Sequence, residues 1–425
     1  MATNPRLPAS LEAWLAYLEQ LHPQGIALGL ERVEQVASRL QLQQPAPRVV
    51  LVAGTNGKGT SCAALEQLLL AAGKRVAVYG SPHLQEYNER LRINGQQLDD
   101  AAHCRAFAAI EAVRGDTQLT YFEFGTLAAL WLIKEAKVEF AVIEVGLGGR
   151  LDATNIVNPE IAVITTVDID HQQLLGSDRE SIGHEKAGIL RHNGQAVIGD
   201  SQPPQSLRTA VAALHVDADW AGHAFAVIDE GTSWRWRSAD GDSVALPKPS
   251  IPLVNCALAL QVMQRLGVTL SDEQLITVVG QIKLAGRMQQ LGQSPLRLVD
   301  VAHNPQAAHY LASQLRAQKP AGGRVLAVFG VMADKEVEAI IAPLLPVVDS
   351  WYLVAPRIAR ALPVLQLQQH FCGQAVSMAT TVAEGWDQAL AATGTDDLLI
   401  GFGSFYTVAE ILQAERGDCG IQTHQ

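Results

Sequence analysis

Residues 49–73, VVLVAGTNGKGTSCAALEQLLLAAG, decide how the whole chain is read. An apolar run, Val49 to Ala53, enters a glycine-rich turn, and leucines at helical spacing follow. A strand that feeds a helix through glycines aims backbone N–H groups and the positive end of the helix at one point, which is a cradle for phosphate. Gly54, Gly57 and Gly59 keep the turn tight. Lys58 is placed to reach the outer phosphates, and Thr60 or Ser61 offers a hydroxyl for a nearby Mg2+. The spacing still departs from the common phosphate loop, GxxxxGK[ST]. Counting back from Lys58, Val52 stands where the first glycine belongs, and Gly59 stands where Ser or Thr belongs. An ordinary glycine-rich turn between strand and helix is the competing reading.

Further apolar runs surround this unit: "RVAVYGSPH", "FAVIEVG" and "IAVITTVD", with helical segments between them. Continuous apolar strands alternating with helices indicate a parallel sheet covered on both faces. Upstream, Ser10 is a helix cap ahead of Leu11, Trp14, Leu15, Leu18 and Leu21, and "GIALGLERVEQVASRL" carries a second helical pattern. Residues 222–247 differ. Their period-two alternation around Trp234 and Trp236, with an Asp240-Gly241 turn, predicts a small antiparallel annex. "LVNCALALQVMQRLG" is helical, and a second α/β set follows: "LRLVDVAHNP", "RVLAVFG", "SWYLVAP" and "LLIGFGS". We therefore expect an N-terminal phosphate-loop domain over residues 1–287 and a C-terminal Rossmann-like α/β domain over 288–425.

The chain has 425 residues, room for two or three domains, and a net charge of −11. An acidic chain argues against nucleic acid as a partner, since phosphate contacts need clustered Lys and Arg. It also means that an anionic substrate needs metal ions or backbone N–H groups at its site. The five cysteines are scattered with no CxxC pair, so neither a disulfide framework nor a zinc site is expected. The N-terminus lacks the apolar core of a signal peptide, and no apolar run reaches the ~18 residues of a membrane span. A cytoplasmic location is the expectation.

"GTNGKGT", "YGSPHL", "TYFEFGT", "EVGLGGRLDATN", "GHEKAGI" and "DVAHNP" occur in this order. Together they resemble the folylpolyglutamate synthase/dihydrofolate synthase family, of the bacterial bifunctional type, a branch of the Mur-type ligases. The resemblance covers nearly the whole chain, and in that family the loop is of the form GTNGKGT. It implies a two-domain Mur-ligase-like fold and a monomer. The implied activity is ATP-dependent ligation of L-glutamate to dihydropteroate and to tetrahydrofolate. ATP phosphorylates a substrate carboxylate, and the glutamate amine attacks the acyl phosphate.

The resemblance also implies roles for particular residues. Thr55, Asn56, Gly57, Lys58, Gly59, Thr60, Asn255, Arg287 and Asp300 match ATP contacts. Ser81, Glu144 and His171 match magnesium ligands, with two Mg2+ sites expected. Each lies at or just past the end of an apolar strand, and Mg2+ favours oxygen ligands, which suits Ser81 and Glu144 better than His171. Lys186 matches a lysine carried as a carbamate, which turns a cation near the metal into an anion. His303 is expected beside the γ-phosphate or acyl phosphate, and Lys58, Lys186 and His303 form the expected catalytic set. Gly25, Ile26, Ala27 and Leu28, then Thr120, Tyr121, Phe122 and Glu123, then Leu151, Asp152 and Ala153 match dihydropteroate contacts, and Ser404 is expected near glutamate. Asp168 and Asp170 add acid to the approach to His171.

A phosphotransferase acting on a hydroxyl stays open, as do two further readings. One is a Mur-type ligase acting on another carboxylate, although only ~50 residues precede the loop, short of an additional domain. The other is a nucleotide switch without ligation. A guanine-reading NKxD motif is missing, and "MADKE" does not match it.

Overall fold

The computed structural model describes residues 7–22 and 27–417. The chain divides into two compact units, one ending at Ile282 and the other beginning at Lys283. Arg287 therefore lies in the second unit.

The first unit is built on eight strands: β1 (Arg48–Ala53), β2 (Val76–Tyr79), β3 (Leu91–Ile93), β4 (Gln96–Gln97), β5 (Phe140–Glu144), β6 (Ile161–Ile164), β7 (Gln195–Ile198) and β8 (Asp217–Trp220). Their order is β4-β3-β2-β5-β1-β6-β7-β8. All pairs from β2 to β8 are parallel, and the β3–β4 hairpin extends the edge antiparallel. Strand periodicity explains the unbroken apolar run of β1. Val49, Leu51 and Ala53 enter one core with Trp14, Val33 and Phe124. Val50 and Val52 enter the other with Leu65, Leu68, Leu258 and Val262. Helices Leu11–Gln20, Glu31–Leu40 and Tyr121–Ala136 thus cover one face, and Lys58–Ala71 and Leu253–Arg265 the other. The Ser10 cap is made: its hydroxyl accepts from Ala13 N at 3.2 Å.

The annex is a separate antiparallel sheet of β9 (Ala226–Asp229), β10 (Ser233–Ser238), β11 (Gly241–Asp242) and β12 (Leu246–Pro247). Trp234 is its buried anchor, and its indole N–H donates to Pro247 O at 3.0 Å.

The second unit holds β13 (Gln289–Gln293), β14 (Leu296–Asp300), β15 (Val325–Phe329), β16 (Ser350–Leu353), β17 (Val376–Met378) and β18 (Leu398–Phe402), in the order β13-β14-β18-β15-β16-β17. Only β13 runs antiparallel. The adjacent ends of β14 and β18 carry Asp300 and, just past Phe402, Ser404. Among the described residues no helix is long and apolar enough to cross a membrane.

Candidate active site

In the first unit the strand order does what spacing alone cannot. β2, β5, β1 and β6 are parallel neighbours, so their carboxyl ends share one edge. That edge carries, in order, Ser81, Glu144, the phosphate loop and the segment leading to His171. The carboxyl edge is where open α/β sheets bind ligands.

The loop is fixed from β6 and its continuation. Thr55 N donates to Thr166 O at 2.8 Å, and Asn56 N to Thr166 Oγ1 at 3.1 Å. Thr165 Oγ1 donates to Asn56 O at 2.6 Å. The Thr55 hydroxyl closes the clamp, donating to Asp168 O and accepting from Asp168 N, both at 2.9 Å. Gly54 has φ 156°, and a Cβ there would overlap the Thr165 hydroxyl, so the position of the strand end demands glycine. Gly57, with φ 86°, caps the helix, and a Cβ on it would lie 2.7 Å from Asn255 Oδ1. Asn255 in turn donates to Thr60 Oγ1 at 2.7 Å, and Thr60 donates to Gly57 O at 3.0 Å. Asn255 thus joins the loop from 195 residues away in sequence. Lys58 bends back, its ammonium donating to Gly54 O at 3.0 Å and Thr55 O at 3.3 Å. Gly59 lies in the first turn of the helix, and Ser61 is buried within it.

Glu144 ends β5, is 7% exposed, and its Oε2 would sit 2.8 Å from a Cβ at Gly80. Its carboxylate therefore lies against the residue next to Ser81. His171 holds φ 50°, and its N–H donates to Asp170 Oδ1 at 2.8 Å. The Ser81 hydroxyl and the Glu144 carboxylate on one edge are oxygen donors of the kind Mg2+ favours, and the His171 imidazole is the less usual third donor. Among the described residues no three or more His, Cys, Asp or Glu side chains form a ready metal cluster. The metal reading thus needs the serine or a modified lysine.

Lys186 lies on helix Arg179–Ala187 and is 2% exposed. Burial, and then the Lys58 ammonium, lower its pKa to about 7, against the opposing pull of the Asp170 and Glu185 carboxylates. The helix is pinned to the "GLGGRLD" turn by Arg150 N donating to Glu185 O at 2.8 Å and by an Arg150–Glu185 ion pair of 2.8 Å.

The three described segments expected to contact pteroate come together. Gly29 N donates to Leu151 O at 3.4 Å. Arg32 reaches both Ala27 O, at 2.7 Å, and the Glu123 carboxylate, at 2.8 Å. Leu28 stands between, while Gly25 and Ile26 lie outside the described residues. Thr120 and Glu123 form a capping box for helix Tyr121–Ala136. Asp152 caps the turn Ala153–Ile156 and accepts from Leu147 N at 2.8 Å; burial raises its pKa. Glu123 and Asp152 thus already bond within the protein. Phe122 stacks on Tyr79 with centroids 6.5 Å apart, and its ring presses on Gly146.

In the second unit Asp300 is buried and organises a turn: its carboxylate accepts from Met288 N and Ala302 N, both at 2.8 Å. Burial raises its pKa, and the Arg287 charge opposes that rise. His303 Nδ1 lies 2.9 Å from Val301 O; a carbonyl only accepts, so Nδ1 carries the proton. Ser404 is 4% exposed and caps the helix Phe405–Glu415, with its oxygen 2.8 Å from Thr407 Oγ1.

Thr165, Thr166, Arg32 and Phe405 were not singled out from the sequence. The hydroxyl pair in "TTVD", directly after an apolar strand, was the available signal for the first two.

A family model described as Mur ligase middle domain matches residues 52–218, and one described as Mur ligase, glutamate ligase domain matches 286–405. The dihydrofolate synthase/folylpolyglutamate synthase of Escherichia coli K12 is 44% identical over 410 residues, 96% of each chain. The structure of Escherichia coli FolC in complex with DHPP and ADP is similar with a TM-score of 0.94 at 43% identity, covering 98% of this chain and 100% of that one. A Yersinia pestis bifunctional folylpolyglutamate synthase/dihydrofolate synthase, complexed with AMPPNP and Mn ion, has a TM-score of 0.92 at 46% identity, covering 97% of this chain and 100% of that one.

Proposed function

The chain belongs to the dihydrofolate synthase/folylpolyglutamate synthase family, and from that premise we propose that it joins L-glutamate to 7,8-dihydropteroate and to tetrahydrofolate at the expense of ATP. The observation that carries the reading is the single strand edge on which the phosphate loop, Ser81, Glu144 and the His171 segment stand in adjacent order. It supports phosphoryl transfer; the acceptor, a pteroate or folate carboxylate, rests on the family.

The carboxylate oxygen attacks the γ-phosphorus of ATP, the bond to the β–γ bridging oxygen breaks, and ADP leaves. The glutamate amine then attacks the acyl carbon, inorganic phosphate departs with the former carboxylate oxygen, and the amine gives up a proton. The loop N–H groups from Gly57 to Thr60 hold the phosphates, and Lys58 turns from the loop carbonyls to the outer phosphate. Ser81, Glu144 and His171 would hold Mg2+, two ions in all, whose charge offsets that of the phosphates. Lys186 would react with CO2 as a neutral amine, releasing a proton and leaving a carbamate that would supply negative charge for a metal ion. Asn255, Arg287 and Asp300 contact the nucleotide, and His303 lies beside the acyl phosphate. Segments 25–28, 120–123 and 151–153 receive the pteroate, with Phe122 offering a ring face, and Ser404 serves the glutamate side. We take the first unit as the ATP and pteroate domain, the second as the glutamate-ligase domain, and the working enzyme as a cytoplasmic monomer.

The test is product analysis with Mg-ATP, L-glutamate and either pterin. ADP, phosphate and dihydrofolate should form in equal amounts from dihydropteroate, and tetrahydrofolate should gain glutamate by mass spectrometry. ATP cleavage without a pterin points to a nucleotide switch, and AMP with pyrophosphate contradicts the acyl-phosphate route.

A further inference from the structure

We propose that Phe405 is a positioning residue for the nucleotide contact Arg287 and for His303, a role that rests on the reading of Arg287 given above. The Arg287 guanidinium carbon lies 5.0 Å from the centroid of the Phe405 ring. The His303 ring stands 6.2 Å from the same ring at an interplanar angle of 55°. One aromatic side chain thus borders both polar groups.

The platform is held from below. Phe405 is the first residue of the helix Phe405–Glu415, directly after the Ser404 cap. Thr407, two residues on, donates to Gly330 O at 2.7 Å, which ties that first turn to the end of β15. Arg287 arrives from a different direction, on the turn that the Asp300 carboxylate and the Val301 N to Gly286 O bond of 2.9 Å hold in place. Its side chain has four rotatable bonds, and Nη1 donates to Gly286 O at 3.2 Å. A ring face under the guanidinium attracts its charge and restricts it to one plane. The N–H groups at the edge of a guanidinium lie in that plane, the directions in which it meets an anion. For His303, the Val301 carbonyl fixes Nδ1 as the protonated nitrogen, and the ring beside it limits rotation of the imidazole, so that Nε2 keeps one direction. Phe405 itself has no group that could bond to phosphate, so its effect must pass through these two side chains.

The test uses the full-length enzyme and three substitutions. Phe405→Leu keeps the apolar bulk and removes the ring; Phe405→Tyr keeps the ring; Arg287→Gln removes the charge. KM for ATP, kcat and the dissociation constant of Mg-AMPPNP are measured for each, with the melting temperature as a fold control. Phe405→Leu should weaken both KM for ATP and AMPPNP binding by about 3- to 10-fold, the range of a partly desolvated cation–π contact. Phe405→Tyr should stay within about twofold of wild type on the same ground. In the Arg287→Gln background, Phe405→Leu should add little further loss of AMPPNP binding, because the partner is gone. An undiminished effect in that background overturns the proposal, as does failure of Phe405→Tyr to behave like wild type. If Arg287→Gln weakens AMPPNP binding while Phe405→Leu does not, the stacking role alone is wrong. If Arg287→Gln leaves it unchanged, the nucleotide role of Arg287 falls, and the proposal with it.

Discussion

If Lys186 works as a carbamate, its reloading with CO2 must follow the acid–base state of a buried amine, not that of a solvated one. Only the neutral amine attacks CO2. Burial, assisted by the Lys58 charge, lowers the Lys186 pKa from 10.5 to about 7. At pH 7.5 about three quarters of such a group is neutral, against about one part in a thousand for an unperturbed lysine. The fold thus raises the reactive fraction by nearly three orders of magnitude before any binding energy is counted. The perturbation is to strip the metal-free enzyme of CO2 under acid, then reload it at several pH values with 13C-labelled bicarbonate at fixed dissolved CO2. The rate of recovery of ligase activity and the growth of a 13C carbamate signal should rise about eightfold from pH 6 to 7.5 and level off above about pH 8. A rate that keeps climbing tenfold per pH unit through pH 9 would mean that the amine titrates as if in water. Full activity with no carbamate signal would refute the modification itself, and the metal would then rest on Ser81, Glu144 and His171 alone.

The same burial makes a stability prediction of defined sign. The folded-state pKa of Lys186 lies below its unfolded value, so the unfolded chain binds more protons between about pH 7 and 10.5, and stability rises with pH across that window. Lys186→Met should therefore abolish ligation yet stabilise the metal-free protein at neutral pH by about 1–4 kcal/mol, an advantage that fades toward pH 10; denaturant melts at pH 7 and 10 check it. Lys58→Ala should leave a folded protein without measurable ligation, since the two backbone bonds it gives up are worth about 0.5–1.5 kcal/mol each; near-normal turnover would reduce the loop to a plain turn. Thr165→Val should weaken ADP binding about tenfold by calorimetry, because Asn56 O loses its short donor, and Thr165→Ser should restore it. Glu144→Gln should weaken Mn2+ binding in equilibrium dialysis with AMPPNP present by at least about tenfold, and an unchanged affinity would remove Glu144 from the metal shell.

Legibility from sequence followed the length scale of each signal. The β1 unit was readable because its run, glycines and helix are contiguous, and the annex because Trp234 and Trp236 alternate within one strand. β8 is Asp-Ala-Asp-Trp and β13 is Gln-Gln-Leu-Gly-Gln. Both are edge strands of their sheets, where less burial is required and the apolar pattern fades. They gave no signal to read.

The site divides in the same way. Ser81, Glu144 and His171 are spread along the chain, and nothing local says that they share an edge. The parallel order β2-β5-β1-β6 brings them there, and motif resemblance was the one way to name them beforehand. Thr165 hides more completely. As a β-branched residue following an apolar strand it reads as strand, yet its hydroxyl donates to Asn56 O, and the lack of a side chain at Gly54 is what makes room for that hydroxyl. The irregular loop spacing follows from this arrangement. Where a regular loop relies on an added glycine at its start and a hydroxyl after the lysine, here Thr165 and Thr166, just past β6, supply the hydroxyls that fix the turn, and Asn255 supplies the contact that holds Thr60. The groups that fix this loop come from other parts of the chain, and substitutions at Thr165 and Asn255 should therefore damage nucleotide binding as much as changes within the loop itself.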